Sequence, residues 1–329
     1  MKAIQFTRFG GPDVLEVVER PTPPLQHGEV LVDVSRAGVN FADTLMRQDR
    51  YAVHPDLPCV PGMEAVGRIA DANGSPALAN GQRVAVPLFA LGRMTGGYAQ
   101  QVAAPAELVV PLPDAIDDDQ ALALQVQGLT ALALTRHIGV RDKTVLVSAA
   151  AGGVGILLTQ LLRLAGAKRV IAATGSPEKG KLAMTCGAHV SVNYAEAGWT
   201  AAVREVTNGE GPDVVLESAG GAITADSLSV LAPNGVMVVY GALNIQQFAL
   251  GVPELLQLIF RNQSVRGFAL LPLLTPQLLR QHLAELFDLT ARGTLAVHVG
   301  GRYPMQEVAA AHAAMELRKT TGKVTLQMR

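Results

Sequence analysis

The stretch that most constrains the fold of this chain runs from Lys143 to Ala167 and reads KTVLVSAAAGGVGILLTQLLRLAGA. Thr144–Ser148 is a short, apolar and largely β-branched run, which is typical of a strand buried on both faces. A glycine-rich turn follows it. Ile156–Ala165 then has strong helical propensity, and Gly166 stands where it can cap the helix end. The pattern predicts a strand, a tight turn and a helix that packs on a parallel sheet.

The turn within this stretch suits a diphosphate. It reads AAGGVG, a variant of the pattern G-x-G-x-x-G in which alanine takes the first position. Gly152 lets a diphosphate approach the backbone, and Gly155 lets the helix lie close to the strand. The helix start, at Gly153 and Val154, offers unpaired N–H groups and a positive dipole end to an anion. We therefore predict a dinucleotide ligand; the alternative is that the glycines only permit a tight bend.

The chain on either side of this unit has two different textures. Residues 1 to about 113 carry short alternating runs between Gly, Pro and Asn turns, which predicts a largely antiparallel, barrel-like domain. After the glycine-rich turn, strand-like and helical runs alternate and give six predicted strands, the last at Ser264–Phe268. Such a series predicts a doubly wound parallel sheet. We expect the tail from about Leu271, with strands at His298–Arg302 and Gly322–Gln327, to return to the first domain.

Composition and charge exclude several functional classes. A length of 329 residues predicts about two domains. The formal net charge of −1 and the lack of a basic run argue against nucleic acid or an anionic membrane as the main partner. Every apolar run is broken well short of a membrane span, and the N-terminus begins with strand-like alternation, so we expect a cytoplasmic protein. Two cysteines exclude a disulfide scaffold.

Four motifs carry a resemblance to a known family. They are the AxGGVG turn, GVNFAD at Gly38–Asp43, PGMEAVG at Pro61–Gly67 and QGLTAL at Gln127–Leu132. In their order along the chain they resemble the medium-chain dehydrogenase/reductase superfamily and, within it, the zinc-free quinone oxidoreductase branch that includes zeta-crystallin. The resemblance implies an α/β protein with a GroES-like catalytic domain (1–125 and 271–329), a Rossmann NADPH-binding domain (126–270) and an active cleft where they meet.

The resemblance also allows a prediction about metal. Zinc-dependent members of the superfamily carry Cys where this chain has Asn40, His where it has Met63, and a further Cys near Val126. Neither an amide nor a thioether suits Zn²⁺, which takes thiolate, imidazole and carboxylate ligands. Glu64 remains, and we expect it to make a structural hydrogen bond or ion pair beneath the cleft. We predict no metal site.

The end of the second predicted strand of the parallel sheet indicates which dinucleotide binds. An NAD site needs an acidic side chain there, but this strand ends in Ala-Thr-Gly-Ser and leaves room for a 2′-phosphate. The resemblance implies that Lys179, Tyr194 and Arg318 hold that phosphate, so NADPH is the predicted cofactor. It implies further cofactor contacts at Thr130, beside the nicotinamide ribose, and at Ser176, Ser218, Gly241 and Phe268.

Without a metal to polarise an alcohol, we expect hydride delivery to a small molecule that is already electrophilic, such as a quinone or an activated alkene. Asn40 and Asp43, which match the family's N-x-x-D, are predicted catalytic residues; the alternative, which is stronger for Asp43, is that both only hold a turn together. Tyr51 stands where 2-enoyl-thioester reductases, the second candidate class, have a proton-donating Tyr; it can also form an aromatic wall. A redox-silent nucleotide-binding or structural protein is the third alternative.

The resemblance finally implies a homodimer in which the sixth strand, Ser264–Phe268, pairs with its symmetry mate. The sequence gives a reason of its own. We interpret this strand as too apolar for an exposed edge, and an open edge strand invites pairing with another chain.

Overall fold

The structure is a computed structural model of the chain, and it describes residues 1–92, 94–241, 243, 247 and 249–329. It divides into two compact units. The terminal unit comprises residues 1–129 and 271–329, so both ends of the chain contribute to it, and the central unit comprises residues 130–270. No helix among the described residues is long and apolar enough to cross a membrane.

The first part of the terminal unit is rich in short strands, as the alternating sequence predicts. Its elements are β1 (Lys2–Gln5), β2 (Glu16–Glu19), β3 (Glu29–Val39), α1 (Phe41–Arg47), β4 (Ala65–Asp71), β5 (Arg83–Val86), β6 (Gln101–Pro105), β7 (Val110–Pro111) and α2 (Asp118–Ala123). Residues Leu124–Gly128 continue α2 as a short π-helix. Strand β3 pairs antiparallel with both β4 and β6, and alternate residues Val30, Val32 and Val34 are fully buried in the core.

The central unit is the doubly wound sheet that the sequence predicts. Its elements are α3 (Leu129–Ile138), β8 (Thr144–Ser148), α4 (Gly153–Leu164), β9 (Arg169–Thr174), α5 (Pro177–Thr185), β10 (Val190–Asn193), α6 (Trp199–Val206), β11 (Val214–Glu217), α7 (Ala222–Ser229), β12 (Val236–Val239), α8 (Val252–Phe260) and β13 (Ser264–Gly267). The six strands pair in parallel in the order β10-β9-β8-β11-β12-β13. The predicted six-stranded parallel sheet is therefore confirmed.

The tail completes the sheet of the terminal unit, as expected. It forms α9 (Pro276–Ala291), β14 (Val299–Pro304), α10 (Val308–Glu316) and β15 (Lys323–Gln327). The sheet order is β14-β15-β3-β4-β5-β7, and β6 pairs with β3 beside this path.

Strand pairing at the end of β3 gathers residues from three distant parts of the chain. Val39, the last residue of β3, lies opposite Val324 of β15. Ala37 lies opposite Ala65, the first residue of β4. The residues that flank these pairs, Asn40, Glu64 and Lys323, therefore meet at one end of the sheet. This junction is the centre of the candidate site in the terminal unit.

Candidate functional site

A buried ion pair occupies the junction of β3, β4 and β15. The Nζ atom of Lys323 contacts the carboxylate of Glu64, and both side chains are fully buried. Nζ also donates a hydrogen bond to Asn40 Oδ1 at 3.2 Å, and Asn40 Nδ2 donates to Glu64 Oε1 at 2.8 Å. The backbone N–H of Val126 donates to Glu64 Oε2 at 2.9 Å. The predicted structural ion pair of Glu64 is confirmed, and its partner is Lys323.

Asp43 lies next to this cluster, at the start of α1, and has no exposed surface. Its Oδ2 atom accepts hydrogen bonds from the backbone N–H of Asn40 at 2.8 Å and from the Tyr98 hydroxyl at 3.2 Å. Burial raises the pKa of Asp43 to about 7, and the charge of Glu64 adds to the rise. The geometry favours a role in holding Asn40, so a direct contact of Asp43 with substrate stays a prediction that its burial disfavours.

Tyr98 continues the buried polar chain beyond Asp43. Its hydroxyl lies 3.2 Å from Nε2 of His312, a fully buried residue of α10. Burial lowers the pKa of His312 to about 3, so the imidazole is neutral in the folded protein. Burial, with the charge of Asp43, also keeps the pKa of Tyr98 well above its usual value. The neutral Tyr98 hydroxyl therefore links Asp43 of α1 to His312 of α10.

Tyr51 lies in the loop after α1, where its side chain is half-buried. Burial raises the pKa of its phenol, and the charge of Asp43 raises it further. The side chain therefore keeps its proton throughout the physiological range and lies close enough to Asp43 to feel its charge. Both predicted roles, aromatic wall and proton donor, are compatible with this position.

Sequence reasoning missed Lys323, Tyr98 and His312. A signal existed for Lys323, since this charged residue opens a strand-like run with apolar residues at Val324 and Leu326. No such signal existed for Tyr98 or His312, because a buried Tyr or His has the same local sequence as an ordinary core residue.

The glycine-rich turn of the central unit has the predicted close packing. Ala149 adopts the left-handed conformation, with φ of 49°, and turns the chain sharply after β8. Gly152 immediately precedes α4. A Cβ atom on Gly155 would lie 2.6 Å from the carbonyl oxygen of Ala149, so only glycine fits there. The N–H groups of Gly153 and Val154 lie in the first turn of α4, where a helix has no internal acceptors for them.

The other predicted cofactor residues of the central unit follow the carboxyl ends of the parallel strands. Tyr194 follows β10, and a Cβ atom on Gly175 would lie 3.2 Å from its ring. The N–H of Ser218, after β11, donates to Ser148 Oγ at 2.8 Å, and Gly241 packs against Ser218. In doubly wound sheets this edge is where ligands bind. Thr130 lies in the first turn of α3, and Phe268 follows β13 with its ring centroid 6.0 Å from that of His137.

The segment after β9 carries two of the residues predicted to contact the 2′-phosphate end of the cofactor. Ser176 precedes α5, and its Oγ accepts a hydrogen bond from the backbone N–H of Lys179 at 3.3 Å. Glu178, an exposed carboxylate, lies between them. Its own backbone N–H and the Ser176 hydroxyl lower its pKa. Arg318, the third predicted phosphate ligand, is exposed and belongs to the terminal unit, so its role stays a prediction, as do all direct cofactor contacts.

Comparison with known proteins identifies the family. The alcohol dehydrogenase GroES-like domain matches residues 26–114, and the zinc-binding dehydrogenase family matches residues 153–291. The chain is 35% identical to a quinone oxidoreductase of Pseudomonas aeruginosa, and the match covers 99% of both proteins.

Two solved structures share the whole fold. Escherichia coli quinone oxidoreductase in complex with NADPH superposes with a TM-score of 0.90 and 32% identity, over 99% of this chain and all of that one. A mycobacterial protein in complex with NADPH gives a TM-score of 0.89 and 35% identity over the same shares. The chain belongs to the medium-chain dehydrogenase/reductase superfamily, in its quinone oxidoreductase branch.

Proposed function

We propose that this protein is an NADPH-dependent quinone oxidoreductase that transfers hydride to quinones or other activated electrophiles without a metal. The observation that carries the proposal is the cluster of Asn40, Glu64 and Lys323. Its one carboxylate is already paired with an ammonium group, and its amide is not a zinc ligand of the usual kind. Several relatives that match the chain over its full length are quinone oxidoreductases, and two of these were crystallised with NADPH.

The residues of the terminal unit suggest how an acceptor is held. NADPH, when bound, supplies the hydride. An acceptor carbonyl that receives hydride gains negative charge on its oxygen, and a fixed hydrogen-bond donor stabilises that charge. Asn40 has two amide N–H groups, of which Glu64 takes one. We assign the other to the acceptor oxygen, with the half-buried ring of Tyr51 packed beside the acceptor.

The second candidate is reduction of an enone or a 2-enoyl thioester. Tyr51 favours it, because this half-buried phenol lies in the loop after α1 and carries a proton at neutral pH. Hydride addition to an activated alkene leaves an enolate that must take up a proton, and a phenol can supply it. A hydroquinone anion can collect its proton from water. The two functions therefore differ in what they require of Tyr51.

We also propose a homodimer that forms through the edge of the parallel sheet. The reason that the sequence suggests for this dimer, an apolar edge strand, does not hold. Strand β13 is the edge strand, yet it exposes Ser264, Arg266 and Gly267, so the predicted apolar texture of the strand is wrong. The exposed apolar surface lies instead on the preceding helix, α8. It comprises Val252, Leu255, Leu256, Ile259 and Phe260. A patch of this kind marks an interaction site.

NADPH oxidation should be followed against a panel of ortho- and para-quinones, enones and enoyl thioesters. We expect turnover with quinones, unchanged by a chelator, and no stoichiometric zinc by elemental analysis. Asn40→Ala should lower quinone turnover by about 10²-fold, in the range seen when an oxyanion donor is removed. NADPH that binds without turnover of any acceptor would instead support the redox-silent alternative. Cell fractionation would test the expected cytoplasmic location.

A further inference from the structure

We propose that Lys323, which the C-terminal strand contributes, is a positioning residue: its ammonium group fixes the orientation of the Asn40 amide that faces the acceptor. The inference rests on the proposed function of Asn40 as a hydrogen-bond donor. It assigns to the last strand of the chain a part in the reaction, although that strand lies more than 280 residues from Asn40 in sequence.

Two opposite charges determine which way the amide points. The ammonium of Lys323 lies 3.2 Å from Asn40 Oδ1, and the carboxylate of Glu64 lies 2.8 Å from Nδ2. A rotation of the amide by 180° would place its NH₂ group against an ammonium, which accepts no hydrogen bond, and its oxygen against a carboxylate, which donates none. The electrostatics therefore select one of the two orientations. Gln127 Nε2, 3.5 Å from Oδ1, agrees with the same choice.

The cost of the cluster argues that it serves more than stability. Removing two charges from water opposes folding, and apolar residues of similar volume often stabilise a protein as well or better. Lys323 and Glu64 are nevertheless fully buried together. The buried ion pair opposes folding, but it fixes a polar group beside a reaction centre. This combination is what we expect of residues that position a reacting group.

The backbone of β3 makes room for this arrangement. A Cβ atom on Gly38 would lie 2.3 Å from Glu64 Oε1 and 2.7 Å from Lys323 Nζ. The backbone of Gly38 has a negative φ, which other residues adopt as well. Glycine is needed at this position because a larger residue would occupy the space of the ion pair. This close approach is a second observation, independent of the hydrogen bonds, that the ion pair is a built feature of the site.

The test compares Lys323→Met, Glu64→Gln and the double variant, with Lys2→Met as a control at an exposed position. Lys323→Met should lower quinone turnover by at least about tenfold, as loss of a supporting residue does, while NADPH affinity stays within twofold. It will also destabilise the fold, because it leaves Glu64 unpaired. The double variant removes both charges, so its melting temperature should recover while turnover stays at least tenfold low.

Recovery of turnover together with stability in the double variant would show a merely structural role and overturn the proposal. Normal turnover in Lys323→Met would do the same. If Lys323→Met does not fold, the double variant still decides between these outcomes.

A second readout does not depend on turnover. In protein labelled with ¹⁵N only at asparagine, the side-chain NH₂ signal of Asn40 is identified by its loss in Asn40→Asp. We expect its protons to exchange with water at least about tenfold faster in the double variant than in the wild type. Equal exchange in both would overturn the positioning role. If the wild type reduces no acceptor but this difference is seen, the proposed function fails while the positioning of Asn40 stands.

Discussion

At the scale of single residues, the site in the terminal unit is a chain of buried polar groups beneath Asn40. Asn40 contacts Glu64 and Lys323 through its side chain and Asp43 through its backbone N–H. The backbone N–H, the side-chain nitrogen and the side-chain oxygen of Asn40 each have a partner, which stabilises one arrangement of this residue. The consequence is a rigid Asn40 next to a loop that carries the partly exposed Tyr51.

Substitution of Tyr51 separates the two candidate reactions. Tyr51→Phe should lower turnover of enones or enoyl thioesters by about 10²-fold or more, the usual effect of losing a general acid, and leave quinone turnover within a few-fold of the wild type. Steady-state kinetics with both substrate classes measure this. An equal, large loss for both classes would show that Tyr51 does not act as a selective proton donor.

Asp43 predicts a pH dependence of stability. Its pKa rises from 3.8 to about 7 on folding, so the folded protein binds the proton more tightly than the unfolded chain. The stabilising effect of that proton is full below about pH 4, falls as pH rises, and is lost above about pH 7. The change is up to about 4 kcal/mol.

Thermal melts of Asp43→Asn and the wild type between pH 4.5 and 7.5 measure this contribution. The difference between the two melting temperatures should change across that range, because the variant has no carboxyl group to titrate. Asp114→Asn, at an exposed position, serves as the control and should run parallel to the wild type. A parallel curve for Asp43→Asn would contradict the raised pKa.

At the scale of elements, we expect the glycine-rich turn and the start of α5 to contact different parts of NADPH. The turn and the first N–H groups of α4 suit the diphosphate of any dinucleotide. We expect the segment after β9 to distinguish NADPH from NADH, because it carries Lys179 and no carboxylate at the strand end itself. Glu178 opposes this preference, since a carboxylate repels a 2′-phosphate.

The cofactor preference follows from that segment. We expect NADPH to bind at least about tenfold more tightly than NADH, and Lys179→Ala to narrow the difference. Lys181→Ala, an exposed Lys of the same helix, should leave it unchanged, and Glu178→Gln should widen it. Fluorescence titration with the two cofactors measures the affinities. Equal affinities in the wild type would contradict the assignment of NADPH specificity to this segment.

At the scale of the whole molecule, α8 has the most conspicuous exposed apolar surface among the described residues. Ile259 is 68% and Phe260 81% exposed. Helix α8 leads directly into the edge strand β13. Pairing of β13 with a second copy would satisfy the open strand edge, and burial of α8 would add apolar contact area.

Light scattering should report twice the mass of one chain at micromolar concentration. Ile259→Glu should shift the protein towards monomer, because it places a charge in the apolar contact. Leu164→Glu, which changes an exposed Leu on α4, is the control and should leave the dimer intact. A monomeric wild type would refute the proposed dimer.

The sequence alone determined the local elements around the glycine-rich turn. The bounds of β8 match its predicted range, because a buried parallel strand is a continuous apolar run and the glycine-rich turn that follows it has its own signature. The order of the motifs along the chain identified the family. The family resemblance in turn predicted that the C-terminal segment joins the first domain. The predicted roles of Gly152 and Gly155 depend only on neighbouring residues.

Only the tertiary structure decided what holds Asn40. Lys323 reaches it through the pairing of β15 with β3, and Glu64 through the pairing of β4 with β3. Such contacts depend on strand register between distant segments, on which local sequence is silent. Only the tertiary structure shows that the apolar face of α8 is exposed. A run of apolar residues has the same sequence whether the fold buries it or leaves it in solvent.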